Sequence, residues 1–234
     1  MKADFDILKI LFEKAIDKSK IEEFSFTAGA KYVAALSPQK KIGVCATLGV
    51  NVLDTALKPN LEKAEQRILA NAAANSVLNY NVPFDGDGDI FQVVDFDKYK
   101  SISMIGYFCS LVKKFEGKDI KLNIFDIDQH EAPVIPMSQQ KEYLNDSDCV
   151  IVTSTSISNN TFTGIVNNIP NSCDVYMLGP STPLDDEMFG IPQVKGLFGS
   201  VFETNDTEVL NIIKSDGGTR VFMPRMKKVY RIRK

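Results

Sequence analysis

The stretch Leu178-Gly179-Pro180-Ser181-Thr182-Pro183-Leu184-Asp185-Asp186 places two hydroxyl side chains between an apolar, β-prone run and the start of a helix. Thr182, Pro183 and Asp185 fit the pattern of an N-cap, a first-turn proline and an acidic third helical residue. Such a turn presents backbone N–H groups and the positive end of a helix dipole, so it can hold an anion or a carboxylate. The alternative is that Thr182 and Asp185 only cap the helix.

Glycine or polar residues also follow three earlier strand candidates: Gly106, then Asp126 and Asp128, then Thr153, Ser154 and Thr155. In a doubly wound sheet, ligands bind beyond the carboxyl ends of the strands, where the strand order reverses. We therefore predict a site for a nucleoside-like or other small polar ligand. Its predicted residues are Gly106, Asp126, Thr153, Ser154, Thr155, Gly179, Ser181 and Thr182.

Gly106 and Asp126 have about the separation found between a glycine turn and the acidic residue that binds ribose hydroxyls. The full G-x-G-x-x-G fingerprint is absent, however, because Tyr107, Phe108 and Cys109 follow Gly106. Bulky residues at these positions would obstruct a pyrophosphate, so the sequence disfavours classical NAD binding.

The four cysteines are dispersed, without the C-x-x-C spacing of a zinc knuckle or a redox dithiol. Cys45, Cys149 and Cys173 lie in or beside apolar runs, which predicts free thiols in the core. Cys109 falls in the first turn of a predicted helix, where the dipole would lower the pKa of the thiol. No paired base can be identified, and we predict that Cys109 is buried under the turn.

His130 is the only histidine, which excludes a metal site built from several imidazoles. Together with Asp126, Asp128 and Glu131 it forms a local group that could bind a metal or serve acid–base chemistry. Solvated loop residues are the favoured alternative, because the spacing matches no established ligand pattern.

Five residues, Asp85-Gly86-Asp87-Gly88-Asp89, resemble the start of a calcium loop. An EF-hand requires glycine at the sixth position and glutamate at the twelfth, where this chain has Ile90 and Phe96. The segment is therefore predicted to be an acidic turn before a strand.

The first part of the chain predicts an α+β unit. Apolar residues recur at helical spacing from about 3 to 17, and this amphipathic helix is expected to cover a sheet. Three β-prone runs follow in close succession at 22–27, 32–36 and 41–48, which favours an antiparallel meander. A long helix with an apolar, alanine-rich face is predicted at 60–78.

From about residue 101, strands and helices alternate, which predicts a mainly parallel sheet with helices on both faces. The predicted strands are 102–105, 122–125, 149–152, 175–178 and 196–202, and the predicted helices are 107–115, 138–144 and 207–214. The fold class is therefore α/β. Two domains are expected, an α+β domain at 1–95 and a Rossmann-like domain at 96–234.

The composition is that of a globular protein, with 44% hydrophobic and 24% charged residues and a net charge of −3. No apolar run is long enough to span a membrane, and the first residues lack the features of a signal peptide, so a cytoplasmic location is expected. The charge argues against nucleic-acid binding, and the alternation of basic and apolar residues at 228–233 predicts an edge strand.

Several of these residues resemble a bacterial and archaeal family described as putative heavy-metal chelation proteins. The most specific part of the resemblance is Leu178–Leu184, with the Gly-Pro-Ser-Thr-Pro-Leu motif. The segments Ser147–Thr155, Asn159–Thr161 and Arg67–Leu78 extend it over most of the chain.

The resemblance implies an enolase N-terminal-like domain followed by a Rossmann-like domain, with the site in the cleft between them. It implies a small-ligand-binding protein, with a metal ion or a metal chelate as the associated group. Since one histidine and scattered cysteines make a poor chelator, any metal is expected to arrive on a small organic ligand whose anionic groups bind backbone amides and hydroxyls. The alternative is a transferase- or lyase-type enzyme that binds a nucleoside-containing cofactor, and whether the protein is an enzyme is left open.

The residues that the N-terminal domain contributes to the cleft are less well defined by the sequence. Thr27, Gly29 and Lys31 are candidates, because a glycine turn between strands can approach a ligand closely. An ordinary hairpin turn is the alternative role. The expected partner is a small molecule, with no nucleic acid and no membrane, and homo-oligomerisation is left open.

Overall fold

Three antiparallel strands follow the first helix, as the alternation of apolar residues predicts. The computed structural model describes residues 5–17, 20–58, 60–127 and 134–234. Helix α1 (Ile7–Ile16) precedes β1 (Ser25–Ala28), β2 (Tyr32–Leu36) and β3 (Ile42–Ala46), which pair in the order β1-β2-β3. The predicted meander is confirmed.

Helix α2 (Ala64–Leu78) lies across β2 and β3 and is buried at every residue from Gln66 to Leu78, rather than along one apolar face as predicted. Its alanines allow very close approach: a Cβ atom on Gly43 of β3 would stand 2.2 Å from the carbonyl oxygen of Ala72. Helix α1 packs mainly on α2, and its buried apolar residues also share a hydrophobic cluster with strands of both sheets.

The second half contains a six-stranded sheet in the order β5-β4-β6-β7-β8-β9. Its strands are β4 (Ser101–Ile105), β5 (Lys121–Phe125), β6 (Cys149–Thr153), β7 (Asp174–Leu178), β8 (Val194–Phe202) and β9 (Met226–Ile232). The first five are parallel and β9 is antiparallel to β8 at the edge of the sheet. A mainly parallel sheet with a basic edge strand is thus confirmed.

Helices cover both faces of this sheet. The helices of this half of the chain are α3 (Ile90–Val93), α4 (Cys109–Phe115), α5 (Gln140–Asn145), α6 (Thr155–Ser158), α7 (Phe162–Val166), α8 (Asp186–Phe189), α9 (Thr207–Lys214) and α10 (Thr219–Phe222). Of these, α9 and α10 pack against the antiparallel sheet of the N-terminal unit. Residues of α3 and α4 form a hydrophobic cluster with one face. The other face shares a cluster with α1, α2 and α5 to α8, so the two parts of the chain have a common core. A division into domains at residues 95 and 96 stays a prediction.

The acidic turn before α3 has structural roles. Asp89 caps α3 by accepting a hydrogen bond from the backbone N–H of Phe91 at 3.0 Å. Asp85 accepts a hydrogen bond from the backbone N–H of Ile232 in β9 at 2.9 Å. The turn therefore precedes a short helix and not the predicted strand. The hydrogen bond from Ile232 also links this turn to the edge strand β9.

Candidate functional site

Strand order reverses between β4 and β6, since β5 lies on one side of β4 and β6 to β8 lie on the other. This is the position at which doubly wound sheets bind ligands. Gly106 directly follows β4 with φ +95°, and a Cβ atom there would stand 3.0 Å from the Cβ of Thr153, the last residue of β6. The two loops therefore approach closely only because residue 106 is glycine.

Two adjoining cavities open at the carboxyl ends of the strands. The first, of about 320 Å³, lies beyond β6 and β7 and is called the β7 cavity. The second, of about 380 Å³, lies beyond β4, β5 and β6 and is called the β5 cavity. Both volumes suit a small organic molecule.

Seven of the eight predicted site residues line these cavities. Thr153, Ser154, Thr155, Gly179 and Ser181 line the β7 cavity, and Gly106, Asp126, Thr153 and Thr155 line the β5 cavity. Thr182 lines neither of them and is fully buried. The structure therefore brings together residues that are up to 75 positions apart, from Gly106 to Ser181.

Tyr32 of β2 lies where the two cavities adjoin, because it lines both of them, as do Phe108, Thr153 and Thr155. Its hydroxyl lies 2.7 Å from the Oγ1 of Thr219 in α10, and burial raises its pKa. Tyr32 and, at the β5 cavity, Ala46 and Leu48 are N-terminal lining residues that the sequence did not predict. The candidates Thr27, Gly29 and Lys31 line neither cavity, although Lys31 immediately precedes Tyr32.

The loop after β7 is closed by Thr182, whose hydroxyl donates to the carbonyl oxygens of Gly179 at 2.8 Å and Phe198 at 2.9 Å. Thr182 is therefore not an N-cap, which corrects the prediction. The cap of α8 is Asp185, which accepts a hydrogen bond from the backbone N–H of Glu187 at 3.0 Å. The hydroxyl of Thr182 does not cap α8 because it is hydrogen-bonded to the carbonyl oxygen of Phe198 in β8.

Three asparagines four residues apart, Asn71 and Asn75 of α2 and Asn79 at its C-cap, lie on one helix face and bind this loop. Asn71 and Asn75 donate side-chain hydrogen bonds to the carbonyl oxygen of Ser181, at 3.3 and 2.9 Å. Asn79 donates to Thr182 at 3.0 Å and accepts from the backbone N–H of Leu184 at 2.8 Å. All three are fully buried, so the loop is docked on the N-terminal unit by direct amide contacts.

Arg67 of α2 links the N-terminal unit to the loop after β6. Its guanidinium pairs with Asp6 at 2.5 Å and donates to the carbonyl oxygens of Ile157 and Ser158, both at 2.9 Å. These carbonyls end α6, the short helix that carries the site residue Thr155. Burial raises the pKa of Asp6, but the hydrogen bond and charge of Arg67 outweigh it, so the pKa is lowered overall.

Backbone N–H groups at the site are largely used within the protein. Those of Gly106, Ser154 and Gly179 donate to carbonyl oxygens of neighbouring strands at 2.8 to 3.1 Å. Asp126 accepts a hydrogen bond from the backbone N–H of Tyr107 at 2.5 Å. The side chains, chiefly hydroxyls, therefore supply the polar contacts that these loops offer to the cavities.

Within the described parts of the chain, no three His, Cys, Asp or Glu side chains come together in a group that could hold a metal ion. Cys45, Cys149 and Cys173 are buried, as predicted, and burial raises the pKa of each thiol. Cys109 is exposed, which corrects its predicted burial. Cys109 begins α4 and lines neither cavity, while its neighbour Phe108 lines both. The proposed cluster of Asp126 with Asp128, His130 and Glu131 lies outside the described residues, except for Asp126.

Across the described ranges, no helix has the length and apolar character needed to cross a membrane.

The fold and the cleft define an α/β protein in which a doubly wound, mainly parallel sheet is joined to an antiparallel α+β unit. The chain belongs to the DUF364 family, described as putative heavy-metal chelation, whose model matches residues 89–232.

The comparisons with individual proteins agree with this assignment. The chain is 28% identical over 204 residues to an uncharacterized protein of Methanocaldococcus jannaschii, covering 78% of each. Two crystal structures of DUF364 proteins of unknown function have the same fold. The one from Pyrococcus horikoshii has a TM-score of 0.82 at 20% identity, covering 97% of this chain and 100% of that one. The one from Desulfitobacterium hafniense has a TM-score of 0.75 at 18% identity, covering 99% and 100%.

Proposed function

We propose that this protein binds a small organic ligand in the cleft at the carboxyl edge of the parallel sheet. The observation that carries the proposal is the pair of adjoining cavities at the switch point between β4 and β6, lined by seven residues chosen from the sequence. Both cavities combine apolar walls with a few converging hydroxyls, which is the usual character of a small-molecule site.

The metal in the family's description belongs, in this proposal, to the ligand and not to protein side chains. The donor set supports this division, because thiolates and imidazoles are the ligands that heavy and transition metals prefer. Three of the four thiols are buried in the core, and the hydroxyls around the cavities are weak metal ligands. The cleft would therefore hold a metal-chelating or metal-bound organic molecule by its organic part.

Native mass spectrometry of the purified protein tests the proposal. A bound organic molecule is expected, with or without a metal ion. Ser110→Trp places a large side chain in the wall of the β7 cavity at an exposed residue, and Gln140→Trp does so in the β5 cavity at a half-buried one, so one of them should abolish the adduct. Ser215→Trp at the end of α9 is the control, since Ser215 is exposed and lines neither cavity.

Calorimetry separates the ligand from the metal. The protein titrated with free Ni²⁺, Co²⁺ or Zn²⁺ should give weak heats, and the same ions in small organic chelates should bind. Tight stoichiometric binding of a bare ion would contradict the assignment of the metal to the ligand.

A second candidate is an enzyme with a nucleoside-containing cofactor, and the position of Asp126 favours it. Asp126 follows β5, the neighbour of β4, where a doubly wound fold contacts ribose hydroxyls. The Asp126→Ala variant tests it by calorimetry with adenosine-containing cofactors. Binding that is lost in the variant supports the enzyme, and indifference to the substitution counts against it.

A further inference from the structure

The wall of the β7 cavity contains two aromatic rings and two thioethers. Phe108 directly precedes α4, Phe198 lies in β8, Met223 directly follows α10 and Met226 begins β9, and all four residues line the cavity. Aromatic rings pack favourably on one another in offset or edge-on contacts, and thioether sulfur also contacts ring edges favourably. This wall therefore favours a ligand with an aromatic ring over one with a saturated apolar group.

Ser154 contributes a buried hydroxyl to the same cavity. The residue is 1% exposed, directly follows β6, and its side chain makes no hydrogen bond to any residue that the structure describes. Its Oγ would stand 2.6 Å from a Cβ atom on residue 179, so glycine at that position leaves the space beside the hydroxyl open. A buried hydroxyl without a partner is unfavourable, so a ligand group that exchanges a hydrogen bond with Ser154 is favoured over an apolar one.

Positive charge exceeds negative charge at this cavity. Lys228 of β9 is exposed and is the one cation among the described lining residues, and Asp89 is the one carboxylate. Asp89 is already paired with Lys114 at 2.8 Å and caps α3. Burial raises the pKa of Asp89, but its hydrogen bonds and the charges of Lys114 and Lys228 lower it overall. Two cations therefore lie near one carboxylate, which favours an anionic group in the ligand.

Ser154 and Lys228 lie on opposite sides of the cavity. Ser154 follows β6 and Lys228 lies in β9, with β7 and β8 between these strands. Neighbouring strands are about 4.8 Å apart, so the two backbones are separated by about 14 Å across the sheet. The four-carbon stem of the lysine shortens the gap that a ligand must span. A fused two-ring system with a polar group at each end suits this arrangement better than a single polar group does.

We propose that the β7 cavity binds an aromatic molecule with an anionic group at one end and a hydrogen-bonding group at the other. The ring contacts Phe108 and the two methionines, the anionic group pairs with Lys228, and the other end exchanges a hydrogen bond with Ser154. The inference rests on the proposed function, since it names the class of ligand for part of the same cleft.

Calorimetry with 6-hydroxy-2-naphthoate, 2-naphthoate and 2-naphthol at pH 7 tests this class. The three probes share one ring system and differ only in their end groups. Hydroxynaphthoate is expected to bind about fivefold more tightly than 2-naphthoate, through one hydrogen bond. It should bind about threefold more tightly than 2-naphthol, through one exposed ion pair.

Two variants separate the contributions of the two ends. Ser154→Ala should remove the advantage of hydroxynaphthoate over 2-naphthoate, and Lys228→Gln should remove its advantage over 2-naphthol. Ser156→Ala is the control for the first, because Ser156 is equally buried and its hydroxyl has no partner in the described chain, but it lines neither cavity. Lys227→Gln is the control for the second, since Lys227 is an exposed neighbour in β9 that lines neither cavity.

The aromatic ring is tested with decahydro-2-naphthoate, the saturated form of 2-naphthoate. The aromatic probe should bind about threefold more tightly than the saturated one. Phe108→Leu should remove this difference. Phe84→Leu is the control, because Phe84 is half-buried and lines neither cavity, and it should keep the difference.

Hydroxynaphthoate binding no more tightly than 2-naphthoate or 2-naphthol, or decahydro-2-naphthoate binding as tightly as 2-naphthoate, would overturn the inference. So would affinities that Ser154→Ala and Lys228→Gln leave unchanged. The proposed function would still stand if native mass spectrometry shows an organic adduct that Ser110→Trp or Gln140→Trp abolishes. If no organic adduct is found and none of the four probes binds, both proposals fail.

Discussion

Asn75 of α2 donates a hydrogen bond from its side-chain Nδ2 to the carbonyl oxygen of Ser181, at 2.9 Å. The contact joins residues 106 positions apart and connects the centre of the N-terminal unit to the floor of the β7 cavity. The shape of that cavity therefore depends on α2, although α2 itself does not line it.

Replacing Asn75 by alanine should disturb the cavity as well as the fold. The same Nδ2 donates to the carbonyl oxygen of Val44 at 3.2 Å, so the substitution weakens two buried contacts. We expect a loss of about 1 to 3 kcal/mol in the free energy of unfolding, measured by urea denaturation. Asn168→Ala is the control, since its side chain makes a single exposed bond to Gly164, and an equal loss in both variants would contradict a special role for Asn75.

Gly179→Ala should be strongly destabilising for two reasons. Gly179 has φ +134°, which L residues avoid, and its Cβ would stand 2.6 Å from the Oγ of Ser154. The expected cost is about 2 to 3 kcal/mol, and differential scanning calorimetry should show Tm lowered by about 4 to 12 °C.

Gly117→Ala separates the two causes in Gly179→Ala. Gly117 has φ +79° and no neighbouring atom within 4 Å of an added Cβ, so this variant shows the conformational cost alone. Gly179→Ala must be the more destabilising of the two. Equal effects would mean that the contact between Gly179 and Ser154 is unimportant.

Much of this fold could be predicted from the sequence, because the apolar residues that favour strands locally are also the residues that the fold buries. Helix α9 was predicted with its observed bounds, and β2 likewise. The loops that line the two cavities could be predicted to lie together because the strands before them are parallel, so that their carboxyl ends share an edge. These features need no information about distant contacts.

What could not be predicted depends on contacts between distant segments. The sequence around Thr182 fits an N-cap, but its hydroxyl is used by Phe198 of β8, and the cap moves to Asp185. Tyr32 joins the site only because the N-terminal sheet packs over the edge of the parallel sheet. The local sequence around Tyr32 carries no signal from which this packing could be predicted.

The Asp6–Arg67 pair should make stability depend on pH in acid. Because the pKa of Asp6 in the folded protein lies below its usual value of 3.8, the pair stabilises the fold above that pH. This contribution is lost as the pH falls through the folded pKa. Asp6→Asn should therefore be less stable than the unmodified protein at pH 7, with a difference that shrinks towards pH 2, measured by urea denaturation at each pH.

Two further variants test whether the Asp6–Arg67 pair causes this dependence of stability on pH. Arg67→Met should cost about 3 kcal/mol at pH 7, because it leaves Asp6 and the carbonyl oxygens at the end of α6 without their partner. Asp119→Asn, at a fully exposed carboxylate, should show no comparable change with pH. A difference for Asp6→Asn that is the same at pH 7 and pH 2 would exclude the pair as its cause.

Cys109 should be the one thiol that reacts in the native protein. It is exposed, whereas Cys45, Cys149 and Cys173 are buried and burial raises the pKa of their thiols, that of Cys173 to about 12. Thiolates react and thiols do not, so burial and protonation both protect these three. Titration with a disulfide reagent at pH 8 should modify one thiol of four in the native state and all four in denaturant. Cys109→Ser should abolish the native reaction, and a second reactive thiol in that variant would show that one of the buried cysteines is accessible.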